Sequence, residues 1–154
     1  MPDDAACEVW FYHLERSSLE QVLPELLEKT LNKGWRAVVR ATDQDRLDHL
    51  DSWLWAYRDD SFLAHGLDSE PQAAKQPVLL TLGEDNPNGA KAMVLVDDAP
   101  PGDLCRFERC MIVFDGRDPA AVLGARATWT RLKAAGHPVA YWKQGESRGW
   151  ERSA

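Results

Sequence analysis

Residues 7–41 read CEVWFYHLERSSLEQVLPELLEKTLNKGWRAVVRA, and the order of patterns within them sets the fold class. Cys7 to Leu14 is aromatic and β-branched, with Val9, Phe11 and His13 alternating against Trp10 and Tyr12 as the two faces of a strand do. Ser17 followed by Glu20 has the spacing of a capping box, and Leu19, Val22, Leu23, Leu26, Leu27 and Leu31 then recur on one helical face until Gly34. Pro24 falls inside that run. It predicts a kink or an irregular first turn, because proline removes a hydrogen bond and clashes one turn back. Trp35 to Ala41 follows at once as a short apolar strand. A strand, a helix of about four turns and a second strand in so short a span form the βαβ pattern, which favours parallel strands. The chain is therefore expected to be α/β, a single Rossmann-like domain over residues 1–143 with a mostly parallel central sheet flanked by helices in three layers.

The same alternation continues downstream. Thr42 and Asp45 look like the start of a second helix whose core stripe is Leu47, Leu50 and Leu54. On that wheel Trp53 and Trp55 fall on opposite flanks of the stripe. After Arg58, Asp59 and Asp60 the helix should end, with Ser61 to Gly66 extended and Leu67 to Pro77 a polar loop. Val78 to Leu82 and Ala92 to Val96 read as strands on either side of the turn signal GEDNPNGA, either a hairpin or split across the sheet. Leu104 to Arg109 suggests a turn of helix, and Cys110 to Phe114 an apolar strand fit for a sheet centre. Asp118 and Pro119 occupy N-cap and first-turn positions of a last long helix that Gly136 closes, with Val122, Ala125, Trp129 and Leu132 as its apolar ridge. His137 to Lys143 fits a final strand, Val139 and Tyr141 facing one way and Ala140 and Trp142 the other. Residues 144–154 are polar and read as a flexible tail.

Composition narrows the function. The chain has 154 residues, seven of them Trp, enough for one domain with a real core. A formal charge of −7 disfavours a basic groove for duplex DNA, since phosphate contacts need concentrated Lys and Arg. Cys7, Cys105 and Cys110 form no CxxC pair and read as reduced thiols. With no apolar run approaching the roughly 18 residues of a membrane span and no basic N-terminal region, a cytoplasmic location is expected. The turn after the first strand, HLERSS, has no glycine, so the phosphate-binding fingerprints are missing and no cofactor is expected. His13, His49, His65 and His137 are scattered and match no metal or nucleophile motif, and the acidic clusters read as solvated caps and turns.

Two segments stand out. LWAYRDDSFLAHG, residues 54–66, carries Trp55 and Phe62 where the helical pattern breaks down. The last helix bears Arg126, Arg131 and Lys133 in an acidic protein, with Arg117 just before it. Arg126, Trp129 and Lys133 share a face, whereas Arg131 points nearly opposite. A cationic edge beside an aromatic suits an acidic peptide with a hydrophobic anchor. On wheel geometry alone it fits equally an ordinary core tryptophan whose neighbours solvate the rim.

At LWAYRDDSFLAHG the sequence resembles the chi subunit family of bacterial DNA polymerase III. The resemblance continues through FYHL, LPELLEKTLNKGWRAVV, QPVLL and ARATWTRLKAAG, most of residues 7–143. It implies a Rossmann-like fold without nucleotide chemistry and a non-catalytic adaptor linking the clamp loader, through the psi subunit, to the acidic C-terminal tail of single-stranded-DNA-binding protein. In that family a helicase can use the psi surface. The resemblance further implies a tail pocket in which Trp55 and Phe62 join Arg126 and Trp129. Two positions depart from the pattern. Ala64 stands where proline is common, and Thr130 where a basic residue often follows the aromatic, so Lys133, or Arg131 if its side chain curls round, has to supply that charge. A Rossmann-like nucleotide-binding enzyme is the alternative from another class, and direct binding of single-stranded DNA through aromatics a third.

Overall fold

The computed structural model describes residues 7–15, 17–56, 65–67, 76–83, 88–97, 99, 104, 107–144 and 150–153, with backbone only at 55–56 and 65–67. The first strand, β1 (Glu8–Leu14), leads into α1 (Leu19–Asn32) and β2 (Ala37–Arg40), as the opening stretch predicts. Then come α2 (Gln44–Ala56), β3 (His65–Leu67), β4 (Val78–Thr81), β5 (Ala92–Leu95), β6 (Arg109–Asp115), α3 (Pro119–Ala134), β7 (Val139–Gln144) and β8 (Trp150–Arg152). One sheet holds all eight strands in the order β3-β4-β2-β5-β6-β1-β7-β8, and every pairing but β7 with β8 is parallel. β4 and β5 are not a hairpin; they flank β2 on either side. β6 sits between β5 and β1, and its Cys110 to Phe114 are all buried, as an apolar run in a central parallel strand requires.

Residue parity sorts the core into two layers. Tyr12, Val39, Leu80, Val94 and Val113 face a layer covered by Leu23 and Leu27 of α1 and Leu47, Leu50 and Leu54 of α2. Phe11, Val38, Leu79, Met93 and Ile112 face the opposite layer, which takes Ala125 and Leu132 of α3. Helices α1 and α2 thus lie on one face of the sheet and α3 on the other.

Several local expectations shift. The capping box belongs to Ser18 and Gln21, one residue later than Ser17 and Glu20: the Gln21 N–H donates to Ser18 Oγ, and the Ser18 N–H donates back to the Gln21 side chain. Ser17 is instead buried, its hydroxyl accepting from Gln144 Nε2. Residues 19–32 stay helical through Pro24. The carbonyl that loses its partner there, that of Glu20, accepts a hydrogen bond from Trp53 Nε1 at 2.6 Å. Asp118 caps α3 by accepting from the Ala120 N–H, with Pro119 at the first helical position, and Gly136 follows the helix with φ 96°. The described part of residues 104–109 holds no helix: the Phe107 N–H closes a turn on the Leu104 carbonyl and Arg109 already belongs to β6. Beyond Gln144, where the sequence reads as a loose tail, Trp150 to Arg152 pair antiparallel with Gln144 to Trp142. Trp150 docks edge-on against Tyr12 at 4.9 Å, which supplies the apolar contact a polar tail would lack.

No helix among the described residues is long and apolar enough to cross a membrane.

Candidate peptide-binding face

The sequence places Arg126, Trp129 and Lys133 on one side of α3, and that side borders β7. Trp129 is half-buried. Its ring stands edge-on to Phe11 of β1 at 5.4 Å and to Tyr141 of β7 at 6.0 Å, while Lys133 Nζ lies 5.9 Å from its centroid. Arg126 and Lys133 are exposed. Trp129 is therefore both part of the core and part of the surface, and a ligand there would meet one flank of an indole that the fold already holds.

The charges on this side differ from those of Arg46, Arg109 and Arg117, which are paired with carboxylates. Arg46 pairs with Glu20 at 3.1 Å and Asp97 at 2.8 Å, Arg109 with Glu8 at 3.1 Å, and Arg117 with Asp115 at 2.9 Å. Neither Arg126 nor Lys133 has an ion-pair partner among the described residues. Lys133 in the last turn also suits the helix dipole. Arg126, in mid-helix, has no such reason to be there.

Period-two alternation in β1 and β7 brings two further groups to this side. His13 shares a face with Phe11, and its Nδ1 is hydrogen-bonded to the Tyr141 hydroxyl. His13 Nε2 lies 3.4 Å from Glu15, which also meets Lys143 at 3.5 Å. Burial holds the His13 pKa below its ordinary value, with Lys143 and Arg126 pushing the same way against Glu15. Burial raises the Tyr141 pKa, opposed by Arg126. The backbone passes so close at Gly116 that a Cβ there would stand 1.9 Å from His13 Nε2. Glycine is thus the residue that leaves room for the imidazole.

Trp55 lies elsewhere. It belongs to the last turn of α2, which packs over β3 and β4 on the face opposite α3, and α3 packs over β6 and β7. Between β4 and β6 are three strand spacings, roughly 14 Å, besides the thickness of the sheet. Phe62, with Ala64, lies outside the described residues. The structure brings Arg126, Trp129 and Lys133 together and places the Trp55 helix on the other side, so the described residues do not join the two halves in one pocket. Trp53, the neighbouring aromatic, acts as a clamp between α1 and α2 through its bond to Glu20.

A cavity of about 650 Å³ opens at the C-terminal ends of β1, β5 and β6, between the starts of α1 and α3. That is where open α/β sheets bind ligands. Among the described residues its charged lining, however, is Glu20, Asp97, Asp115 and Asp118 against Arg46 and Arg117, both arginines already engaged by carboxylates. From those residues a phosphate would meet net negative charge. No group of three or more His, Cys, Asp or Glu among the described residues could hold a metal ion.

The family model described as "DNA polymerase III chi subunit, HolC" matches residues 7–140. A protein of Rickettsia prowazekii named "Probable DNA polymerase III subunit chi" is 29% identical over 114 residues, covering 68% of this chain and 67% of the relative. "DNA polymerase III subunit chi" of Pseudomonas aeruginosa is 29% identical over 121 residues, covering 77% of this chain and 82% of the relative. With seven parallel strands, helices on both faces and a family match across nearly the whole described fold, this chain belongs to the DNA polymerase III chi subunit family.

Proposed function

We propose that this protein is a non-catalytic adaptor of the DNA polymerase III holoenzyme, and that the α3 face bearing Arg126, Trp129 and Lys133 receives the acidic C-terminal tail of single-stranded-DNA-binding protein. The observation that carries this is the pair of exposed cations with no ion-pair partner among the described residues, set on either side of an indole edge. The tail's terminal aromatic supplies the hydrophobic anchor against Trp129, and its carboxylates meet Arg126 and Lys133. Thr130 leaves that capture to longer-range charge, so it weakens with salt.

The end of α2 that carries Trp55 forms a second contact surface in this proposal, for psi or for a helicase that shares it; Phe62 lies outside the described residues. Support comes from the sheet standing between α2 and α3: two peptides on opposite faces do not compete, which suits a bridging role. Contact with DNA is then indirect, through the tail's owner, in keeping with the charge of −7.

Titration of the purified protein with a synthetic acidic peptide ending in phenylalanine tests both statements. Arg126→Glu should weaken binding at least tenfold, by loss of an attraction and gain of a repulsion. Trp55→Ala should leave tail affinity within about twofold, the effect expected of a residue outside the contact. Wild-type affinity in Arg126→Glu would remove the α3 face from the site, and a large loss in Trp55→Ala would put both halves back into one pocket.

A further inference from the structure

Tyr141 occupies an unusual position. Its backbone is paired on both sides, to β1 through the parallel ladder and to Ser153, whose N–H donates to the Tyr141 carbonyl at 2.7 Å. Its ring lies among Phe11 at 6.4 Å, Phe114 at 6.0 Å and Trp129 at 6.0 Å, and its hydroxyl is bonded to His13. The side chain is nevertheless only half-buried, at the line where the flank of α3 meets β7. Val139 and Lys143, two residues either way along β7, come to the same face. The hydroxyl is the hydrogen-bond partner of Nδ1 of the buried His13, and that tie fixes the ring's orientation.

We propose that the peptide site is a trough between α3 and β7 rather than a face of α3 alone, with Tyr141 as its second wall and His13 as the positioning residue that holds the Tyr141 ring upright. The occupant is an acidic peptide with an aromatic or aliphatic C-terminal residue. That residue's side chain packs between the Trp129 and Tyr141 rings, which meet at 74° and form a corner. Because α3 connects the parallel strands β6 and β7 and so runs antiparallel to β7, the cationic rim runs from Lys133 past Arg126 towards Lys143, at the end where Tyr141 is tied. A terminal carboxylate beside the corner would therefore find Arg126 first and Lys143 next. Lys143 contributes less because Glu15 shares it at 3.5 Å.

This inference rests on the α3 face being the peptide site, and the test separates the two. Isothermal titration is performed with the acidic phenylalanine-terminated peptide, its C-terminally amidated form and a sequence-scrambled control. Tyr141→Ala should weaken the free-acid peptide about tenfold, as expected when an aromatic anchor wall is truncated. Tyr141→Phe, which keeps the ring and loses only the tie, should cost about threefold, and His13→Ala should reproduce that smaller loss. In the double variant Tyr141→Phe with His13→Ala the loss should stay about threefold, because both changes remove the same hydrogen bond. A merely structural role for His13 would instead add its penalty to that of Tyr141→Phe. Lys143→Glu, an exposed change that leaves the core intact, gives an independent reading of the β7 wall should Tyr141→Ala fail to fold, and it should weaken binding several-fold at low salt. If the wild-type chain binds neither peptide form, the α3 site itself is lost. If it binds and both Tyr141→Phe and Lys143→Glu bind as tightly, the site survives and the trough is refuted.

Discussion

Replacing Trp53 by Phe removes the indole N–H together with part of a partly exposed ring, and the structure says what that N–H does. Pro24 has no backbone donor, so the Glu20 carbonyl four residues earlier has no helical partner, and Trp53 Nε1 fills the gap at 2.6 Å. The indole is 37% exposed, so water can solvate the carbonyl once the bond is gone. The cost therefore falls in the lower part of the range for a net hydrogen bond, roughly 0.5–1 kcal/mol. For a chain of this length that lowers Tm by roughly 1–4 °C. The decisive measurement is a cycle of denaturant melts with Pro24→Ala. Alanine restores a donor to the helix, and the Glu20 carbonyl then no longer depends on α2. Trp53→Phe should consequently cost much less in the Pro24→Ala background, with a coupling of roughly 0.5 kcal/mol. An equal penalty in both backgrounds would mean that Trp53 contributes only packing, and that the proline's missing bond is made good some other way.

Three further outcomes follow from the site. Gly116→Ala should destabilise the protein by about 1–3 kcal/mol, because the new methyl displaces the His13 imidazole in a packed region; an unchanged melt would show that the ring has room to move. Folding stability should fall between pH 7 and pH 5. His13, faced by Glu15, Lys143, Arg126 and Asp115, has a folded pKa below its unfolded value of about 6.5, so the unfolded chain binds the extra proton and stability, full above that value, declines beneath it. His13→Gln should flatten that part of the profile, and a slope unaltered by the change would assign it to other groups. Iodoacetamide should leave Cys7 and Cys110 unmodified in the native protein, since both are buried, with the Cys7 thiol pushed up to about 12 by burial and that of Cys110 raised likewise; labelling at the rate seen in urea would refute it.

The parallel α/β architecture was legible because each of its determinants is local: alternation in Glu8–Leu14, a leucine stripe at helical spacing in α1, and cap chemistry at Asp118 and Gly136. Strand order was not, since β4 and β5 are short apolar runs that read alike whether they pair with each other or both with β2. The capping box was misplaced by one residue because Ser17 and Ser18 both offer a hydroxyl, and only the buried Gln144 amide, far along the chain, selects between them. On α3, helical spacing alone grouped Arg126, Trp129 and Lys133. The Trp55 half was joined to them by resemblance, and which sheet face each helix covers depends on long-range packing that no local pattern encodes. The proposed roles of Tyr141 and His13 are not legible in the sequence, although alternation puts each on a definite face of its strand. Registering β1 against β7 sets Tyr141 opposite Phe11 and His13 opposite Lys143, which makes His13 and Tyr141 diagonal neighbours on one face.

The short strand β8 has a consequence for assembly. A parallel sheet ending at β7 would present a row of bare backbone donors and acceptors, a template onto which a strand of another molecule can crystallise. Trp150 to Arg152, with the Ser153 N–H, occupy that row from within the same chain, and Trp150 is held down on Tyr12. Truncation before Trp150 should therefore produce self-associating protein before it produces unfolded protein, visible as a concentration-dependent shift in sedimentation while the far-ultraviolet spectrum stays native. In that light β8 acts as a hem: the border of the sheet on that side becomes a three-residue strand in place of the six-residue β7.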